Sequence, residues 1–361
     1  MRAPRGRHRA SESKSRVEAV RAALCCLSLL ACGARTGLDE SFTDGGRPPP
    51  LVLTCPSGPD DPRLPLFELD APVSLDGTRF VSGDVRHWHW DLVREDCDAV
   101  VANPEFTLQG GETSQLTFQA LRPSPYHFTL HVVGAAGDKG TCDFEVPTEG
   151  RGLRVELCWN TSQNTDLDLY LHNPFDNAPW YDPSAPSVSD GINESTCNVV
   201  NCVANLRLGH PRVDFGYPDS PLSNCRGGPG AAEFQALGRC PNPRAREDNN
   251  QSLATGVAER IQLDNPKDRQ TFRVMVQNFS NSSAEPHVFG YCGGKKAGEA
   301  QPPKAPAGFV ALIPRIFGVM WRAADITAHA SSSGETTDCA FSLPAAPDGS
   351  MPYVTVNDPT F

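Results

Sequence analysis

Residues 124–146 read SPYHFTLHVVGAAGDKGTCDFEV, and this stretch decides the fold class. Its first half alternates apolar with polar side chains: Tyr126, Phe128, Leu130 and Val132 against His127, Thr129 and His131. Clusters of Gly, Pro and Asp bound the run. A period of two, broken by such clusters, is typical of a β-strand that buries one face only. The stretch therefore predicts half-buried strands.

The same pattern appears upstream, where apolar and polar residues again alternate: Trp88, Trp90 and Leu92 against His87, His89 and Asp91. Strand signals continue from Leu51 to Val146, and about 95 residues of this kind suit a sandwich of roughly seven strands. Residues 51–147 are therefore predicted to form a β-sandwich. A short polar connection follows before strand patterns resume.

The remainder of the chain, residues 153–361, also reads as strands with one apolar face: Leu153, Val155, Leu157 and Trp159, then Leu167, Leu169 and Leu171, then Phe272, Val274 and Val276. Residues 175–250 are rich in Pro, Gly, Asn and Cys and too long for an ordinary loop. We predict a second, larger, disulfide-rich sandwich of jelly-roll type. The long connections within it are predicted to be held by disulfides and to include one short helix at Ala231–Leu237.

The N-terminal region has the pattern of an export signal. Seven Lys or Arg residues precede an uncharged run, Ala22–Ala31, that is too short to span a bilayer. The run ends in Leu29-Leu30-Ala31-Cys32-Gly33, which resembles the lipobox of bacterial lipoproteins. The resemblance implies a signal peptide at residues 1–31, cleavage before Cys32 and a lipid on that cysteine. Residues 32–50, polar and rich in Gly and Pro, are predicted to be a flexible tether.

The net charge limits the partners. The whole chain carries −11, and removing residues 1–31 takes this to −16. Such a charge disfavours nucleic acid and anionic headgroups, which bind clustered Lys and Arg. No later segment has 18 consecutive apolar residues, so the lipid is the expected link to the membrane.

Cysteine usage indicates an oxidising compartment. Of the 13 cysteines, ten remain once Cys25, Cys26 and Cys32 are set aside, and an even set in an exported chain predicts disulfides. Cys55 and Cys142 pair because the first and last strands of such a sandwich run close together. Short spacing predicts the pairs Cys197–Cys202 and Cys225–Cys240, and the position of the final strands predicts Cys292–Cys339. Elimination leaves the pair Cys97–Cys158. The last pair would bridge the two sandwiches.

Several motifs carry a family resemblance. SLDGTRF at residues 74–80, the Trp90-Asp91 step and residues 124–146 resemble a PKD-type immunoglobulin-like domain. Residues 153–174, LRVELCWNTSQNTDLDLYLHNP, are similar to an uncharacterised bacterial secreted domain with a W…DxDLH-type signature, as are EDNNQSLATGVAERIQL (247–263) and TFRVMVQNF (271–279). This order behind a lipobox implies an envelope lipoprotein of Gram-negative bacteria. Gly33, where inner-membrane retention uses Asp, favours the outer membrane by analogy with lipoprotein sorting.

Two side-chain groups are candidate metal ligands. Asp166 and Asp168 lie two apart on a strand and share a face, and Asp248 stands in the acidic segment that the resemblance pairs with them. Such oxygen ligands suit calcium; a solvated polar face is the alternative. His87, His89, His127 and His131 are predicted to share the outer face of neighbouring strands. Such a face could bind zinc or copper, or it could gain positive charge as the pH falls through about 6.5. The alternative is an ordinary exposed polar face.

No nucleophile elbow, HExxH, P-loop or Rossmann glycine pattern is present, so no enzymatic activity is expected. No cofactor is predicted other than the open calcium interpretation. The preferred interpretation is a lipid-anchored envelope protein with a binding or structural role, toward a glycan or an envelope protein. The alternative is a carbohydrate-recognition or accessory module of an extracellular hydrolytic system. An aromatic rim at Trp159, Trp180 and Tyr181 would favour that alternative.

Overall fold

A computed structural model describes most of the chain downstream of Arg47. The described residues are 48–58, 61–65, 67–68, 71–100, 106–120, 126–146, 148–149, 152–159, 166–173, 194–204, 212–226, 230–246, 258–278, 285–302, 319–344 and 353–355. The predicted signal peptide, Cys32 and nearly all of the predicted tether lie outside them.

The first sandwich is built from short strands, and all but one of the described strand pairs are antiparallel. Between residues 52 and 149 the structure describes β1 (Val52–Leu53), β2 (Phe67–Glu68), β3 (Pro72–Asp76), β4 (Val81–Ser82), β5 (Val85–Val93), β6 (Phe106–Gln109), β7 (Gln115–Ala120), β8 (Tyr126–Gly134), β9 (Lys139–Val146) and β10 (Thr148–Glu149). The two main sheets have the orders β3–β7–β6 and β5–β8–β9, while β1 pairs with β4 and β10 with β2. Helix α1 (Asp96–Val100) follows β5, and a 3-10 turn occupies Gly77–Arg79.

The core of this sandwich lies between its two main sheets. Phe118 of β7 contacts Phe128 and Tyr126 of β8 edge-on, with ring centroids 5.1 and 4.7 Å apart. Trp90 and Leu130 are buried in the same cluster. The polar residues between these positions remain half-exposed or exposed, so the alternation predicted for β5 and β8 is confirmed.

The second sandwich also packs two sheets. Its strands are β11 (Leu153–Trp159), β12 (Leu167–His172), β13 (Thr196–Cys197), β14 (Arg244–Ala245), β15 (Glu259–Leu263), β16 (Thr271–Asn278), β17 (Pro286–Cys292), β18 (Lys295–Ala300), β19 (Val319–Ala330), β20 (Thr336–Ser342) and β21 (Tyr353–Thr355). One sheet has the order β14–β15–β11–β17–β18, and the other β13–β12–β16–β19–β20 with β21 beside β19. Strands β11 and β12 are consecutive in sequence yet lie in opposite sheets. Their apolar faces, with those of β16, form one core, and the all-β sandwich fold is confirmed.

Disulfides join these elements. The bonds are Cys55–Cys142, Cys97–Cys158, Cys197–Cys202, Cys225–Cys240 and Cys292–Cys339, the five pairs predicted from the sequence. Cys225–Cys240 encloses helix α2 (Ala231–Leu237), which forms where the sequence predicts it. A 3-10 turn at Leu222–Cys225 precedes this helix.

Candidate functional site

The outer face of the β5–β8–β9 sheet carries the four histidines that the sequence places there. We call this surface the histidine face; its central residues are His87, His89, Asp91, His127, Thr129 and His131. His89 lies directly opposite His131 in the antiparallel register. Their ring centroids are 6.0 Å apart, so these two imidazoles form a pair.

One carboxylate lies between the paired rings. Asp91 is two residues beyond His89 on β5, so its side chain points to the same face. Its Oδ1 is 3.1 Å from Nε2 of His89, and its Oδ2 is 3.1 Å from Nε2 of His131. The three side chains are about half exposed, at 49% for His89, 45% for His131 and 56% for Asp91.

A turn holds the other side of His89. The backbone N–H of Trp90 donates to the carbonyl of Gly111, which fixes the turn between β6 and β7 against β5. Glu112 of that turn places Oε1 2.5 Å from Nδ1 of His89. This hydrogen bond and the charge of Asp91 raise the pKa of His89 above its ordinary value of 6.5.

The other two histidines stand apart from the pair. His127 is four residues from His131 along β8, and its Nε2 is 3.7 Å from Glu95 and 3.8 Å from Glu145. His87 lies next to a register shift in the β5–β8 pairing. The structure therefore narrows the predicted set of four histidines to one close pair.

The acidic candidate occupies the outer side of β12. Asp168 is 8% exposed and lies on the face of β12 opposite the core, and Asp166, which is partly exposed, immediately precedes that strand. Asp248 lies outside the described residues. Within the described ranges, no group of three or more His, Cys, Asp or Glu side chains stands ready to hold a metal ion. The calcium interpretation stays a prediction.

A buried tyrosine adjoins these carboxylates. Tyr170 donates its hydroxyl to Oε1 of Gln277 at 2.8 Å. Burial, and then the nearby charges of Asp168 and Glu259, raise the pKa of Tyr170 well above its ordinary value of 10.0. Glu259 reaches across from the other sheet and accepts the backbone N–H of Leu169 at 2.8 Å. These contacts close the edge of the sandwich between β15 and β12.

The structure changes the interpretation of the aromatic residues that were considered for sugar binding. Trp159 is only 2% exposed and belongs to the core of the second sandwich. Its place on the apolar face of β11 explains this, because that face packs against the opposite sheet. Trp180 and Tyr181 lie outside the described residues.

The two sandwiches meet at helix α1. Cys97 on this helix is bonded to Cys158 on β11. The neighbouring Asp96 accepts hydrogen bonds from Nζ of Lys296 at 2.6 Å and from the hydroxyl of Tyr291 at 3.1 Å. A buried cluster lies around the disulfide: Cys97, Cys158, Ala258, Phe289 and Tyr291. Partial burial alone would lower the pKa of Lys296, but its hydrogen bonds to carboxylates raise it.

Charged residues are buried on the outer face of the five-stranded sheet. Arg154 and Glu156 of β11 form an ion pair at 2.6 Å, and the Glu156 side chain is 0% exposed. Nearby, Asp264 accepts hydrogen bonds from Arg244 at 2.9 Å and from the hydroxyl of Ser220 at 2.6 Å. Burial alone would raise the pKa of Asp264, yet the charge and hydrogen bonds of Arg244 lower it to about 2.

The sequence signals for these contacts differ in strength. Asp91 was placed on the histidine face by its spacing from His89, without an assigned role. Glu112 and Asp96 were missed, because each acts through a contact between segments distant in sequence. A signal existed only for the neighbour of Asp96 in the chain, Cys97, which elimination left to pair with Cys158.

The membrane-related predictions concern the N-terminal region. Cys32 lies outside the described residues. In the part of the chain that is described, no helix has both the length and the apolar character needed to cross a membrane.

Comparisons with known proteins give one structural likeness. No protein-family model matches the chain, and no curated protein matches it. A solved structure titled "Solution structure of the PKD domain from KIAA 1837 protein" is 21% identical and covers 26% of this chain and 89% of that chain. Its TM-score is 0.20, and a value this low carries no further conclusion. The sandwich architecture therefore rests on the strand pairing described above.

Proposed function

We propose that this chain is a non-catalytic, lipid-anchored protein of the bacterial cell envelope, and that it presents both sandwiches as one rigid unit to a glycan or protein partner. The observation that carries the proposal is the junction at α1. There a disulfide, two hydrogen bonds to Asp96 and a buried apolar cluster join the sandwiches. A module pair held at a fixed angle loses little entropy when a partner contacts both modules.

The tether supports the same role. About 18 residues separate Cys32 from the first sandwich, and such a chain extends to at most about 60 Å. This reach holds the folded unit clear of lipid headgroups. The charge of −16 that follows removal of residues 1–31 favours the same separation from an anionic membrane surface.

The test uses the full chain produced in a Gram-negative host. The wild type should partition with membranes and take up labelled palmitate. The Cys32→Ser variant should remain an unlabelled, uncleaved precursor. Normal processing of that variant would contradict lipid anchoring.

The same cells test the rigid junction by chemical cross-linking to envelope components. We expect the yield of a specific cross-linked product to be about tenfold lower for the Cys97→Ser/Cys158→Ser variant than for the wild type, because hinged modules lose more entropy on binding. The matched control, Cys225→Ser/Cys240→Ser, removes a disulfide away from the junction and should keep the product. Equal cross-linking by all three chains would refute a role for the fixed angle.

A further inference from the structure

A lysine of the second sandwich and a carboxylate of the first are held within reacting distance of each other. Nζ of Lys296 on β18 lies 2.6 Å from Oδ1 of Asp96, the first residue of α1. The Asp96 side chain is only 8% exposed. The next residue, Cys97, is bonded to Cys158, so a disulfide keeps this carboxylate against the second sandwich. Two groups fixed at such a distance have the rate advantage of an intramolecular reaction.

Aromatic side chains surround this contact. Nζ of Lys296 lies 4.7 Å from the centroid of the Phe289 ring, and both Phe289 and Tyr291 are buried. The hydroxyl of Tyr291 donates to Oδ2 of Asp96 at 3.1 Å. Taking two charges out of water carries a desolvation cost, whereas a neutral amide costs far less to bury. The surroundings therefore favour replacing the ion pair by an amide. The Lys296 side chain is 36% exposed, which lets the released water leave.

A second carboxylate is placed to carry protons between the two groups. Oε2 of Glu299 lies 3.2 Å from Nζ of Lys296, and Nε2 of Gln301 donates to Oε1 of Glu299 at 2.9 Å, which orients it. Burial alone would raise the pKa of Glu299, but hydrogen bonds from Gln301 and Lys296 lower it, so this carboxylate is ionised at neutral pH. Burial alone would lower the pKa of Lys296, but its hydrogen bonds to Asp96 and Glu299 raise it. The nitrogen therefore needs a base before it can attack.

We propose that Asp96 and Lys296 join in a self-catalysed amide bond between the two sandwiches, with Glu299 carrying the protons. Glu299 takes one proton from the ammonium group and passes it to Oδ1 of Asp96. The lone pair of Nζ then attacks Cγ, and the hydroxyl of Tyr291 stabilises the negative charge that develops on Oδ2. A second proton moves from Nζ to Oδ1 through Glu299, the Cγ–Oδ1 bond breaks, and one water leaves. An ammonium and a carboxylate become an amide and a water, so the net charge is unchanged and no oxidant is consumed.

The direct test is mass spectrometry of the full-length chain, purified in detergent and digested with trypsin after complete reduction of its disulfides. We expect the peptide that contains Asp96 to remain joined to the peptide that contains Lys296. The mass of the joined pair should be lower by one water molecule than the sum of the two peptides. Fragmentation should locate the bond at these two side chains. The readout is the bond itself, so its absence would leave lipid anchoring and partner binding untouched.

Lys296→Arg keeps the positive charge but should give no joined peptides. Glu299→Gln should lower the joined fraction by about tenfold or more shortly after synthesis, because it cannot carry the proton. Glu145→Gln, an exposed carboxylate away from the junction, is the matched control and should match the wild type. Mapping the Cys97–Cys158 disulfide without reduction should show that the junction has formed in every variant. Separate peptides in the wild type, joined peptides in Lys296→Arg, or equal fractions in Glu299→Gln and Glu145→Gln would overturn the proposal.

Discussion

The outer faces of the two sandwiches differ although their strands have the same alternating sequence. On β5 and β8 the residues between the core positions are histidines, Asp91 and Thr129, and they remain half-exposed or exposed. On β11 the corresponding residues are Arg154, Glu156 and Cys158, and all are buried. Alternation thus predicts which side chains face the opposite sheet, but not whether the other face reaches water.

The physical reason lies in what covers the second sandwich. Helix α1 of the first sandwich packs against β11 and β17, and the disulfide Cys97–Cys158 holds it there. The segment containing α2 adds Arg244 and Ser220, which bind Asp264 at the end of β15. Asp264 therefore meets partners from another segment and the Arg154–Glu156 pair of β11 is buried, whereas the charged side chains of the histidine face stay about half exposed.

The sharpest test of this difference is Glu156→Ala. The substitution removes the buried carboxylate that pairs with Arg154, and we expect a loss of about 3–5 kcal/mol in the free energy of unfolding. The measurement is chemical denaturation of the full chain. Glu145→Ala on the exposed face of β9 is the control and should cost less than about 0.5 kcal/mol. Similar losses for both variants would remove the distinction between the two faces.

A second test uses pH. The pKa of Asp264 is about 2 in the folded chain and 3.8 ordinarily, so its ionised form is favoured by folding. This stabilisation is complete above about pH 5 and disappears as the pH falls through about 2. We expect the stability gap between the wild type and Asp264→Asn to narrow by about 2 kcal/mol over that window. A constant gap would show that the carboxylate is not held by Arg244.

The smallest effect is expected on the histidine face. Glu112 raises the pKa of His89, so the associated stabilisation is present at low pH and lost as the pH rises through the folded pKa. In a nuclear magnetic resonance titration, His89 should change charge above pH 6.5, and Glu112→Gln should move its midpoint down. Glu145→Gln, which removes a carboxylate near His127 rather than near His89, is the control and should leave the His89 midpoint unchanged. An unchanged His89 midpoint in Glu112→Gln would contradict the contact.

The sequence predicted local features well and contacts between distant segments poorly. The inward faces of β5, β8, β11 and β12, helix α2 and the two closely spaced disulfides follow from periodicity and spacing, which are properties of short stretches. The three long-range disulfides followed from the expected strand order and from elimination. The role of Asp96 and the position of Glu112 depend on how a helix and a turn pack against other strands. Trp159 follows the local rule instead, because periodicity places it on the face of β11 that packs against the opposite sheet, and it is buried there.

The overlap of two disulfide loops has a mechanical consequence. Cys55–Cys142 and Cys97–Cys158 enclose interleaved segments with sequence separations of 87 and 61 residues. A pull applied from the N-terminal side would pass through the first bond to Cys142 and along about 16 residues to Cys158, which extend by at most about 60 Å. Apart from β1, the end of β9 and β10, the strands of the first sandwich lie outside this covalent path. A force that would unfold a sandwich without disulfides would therefore act on covalent bonds, which stretch little. The distance between the anchor and the second sandwich would then have a fixed upper limit while the force is applied.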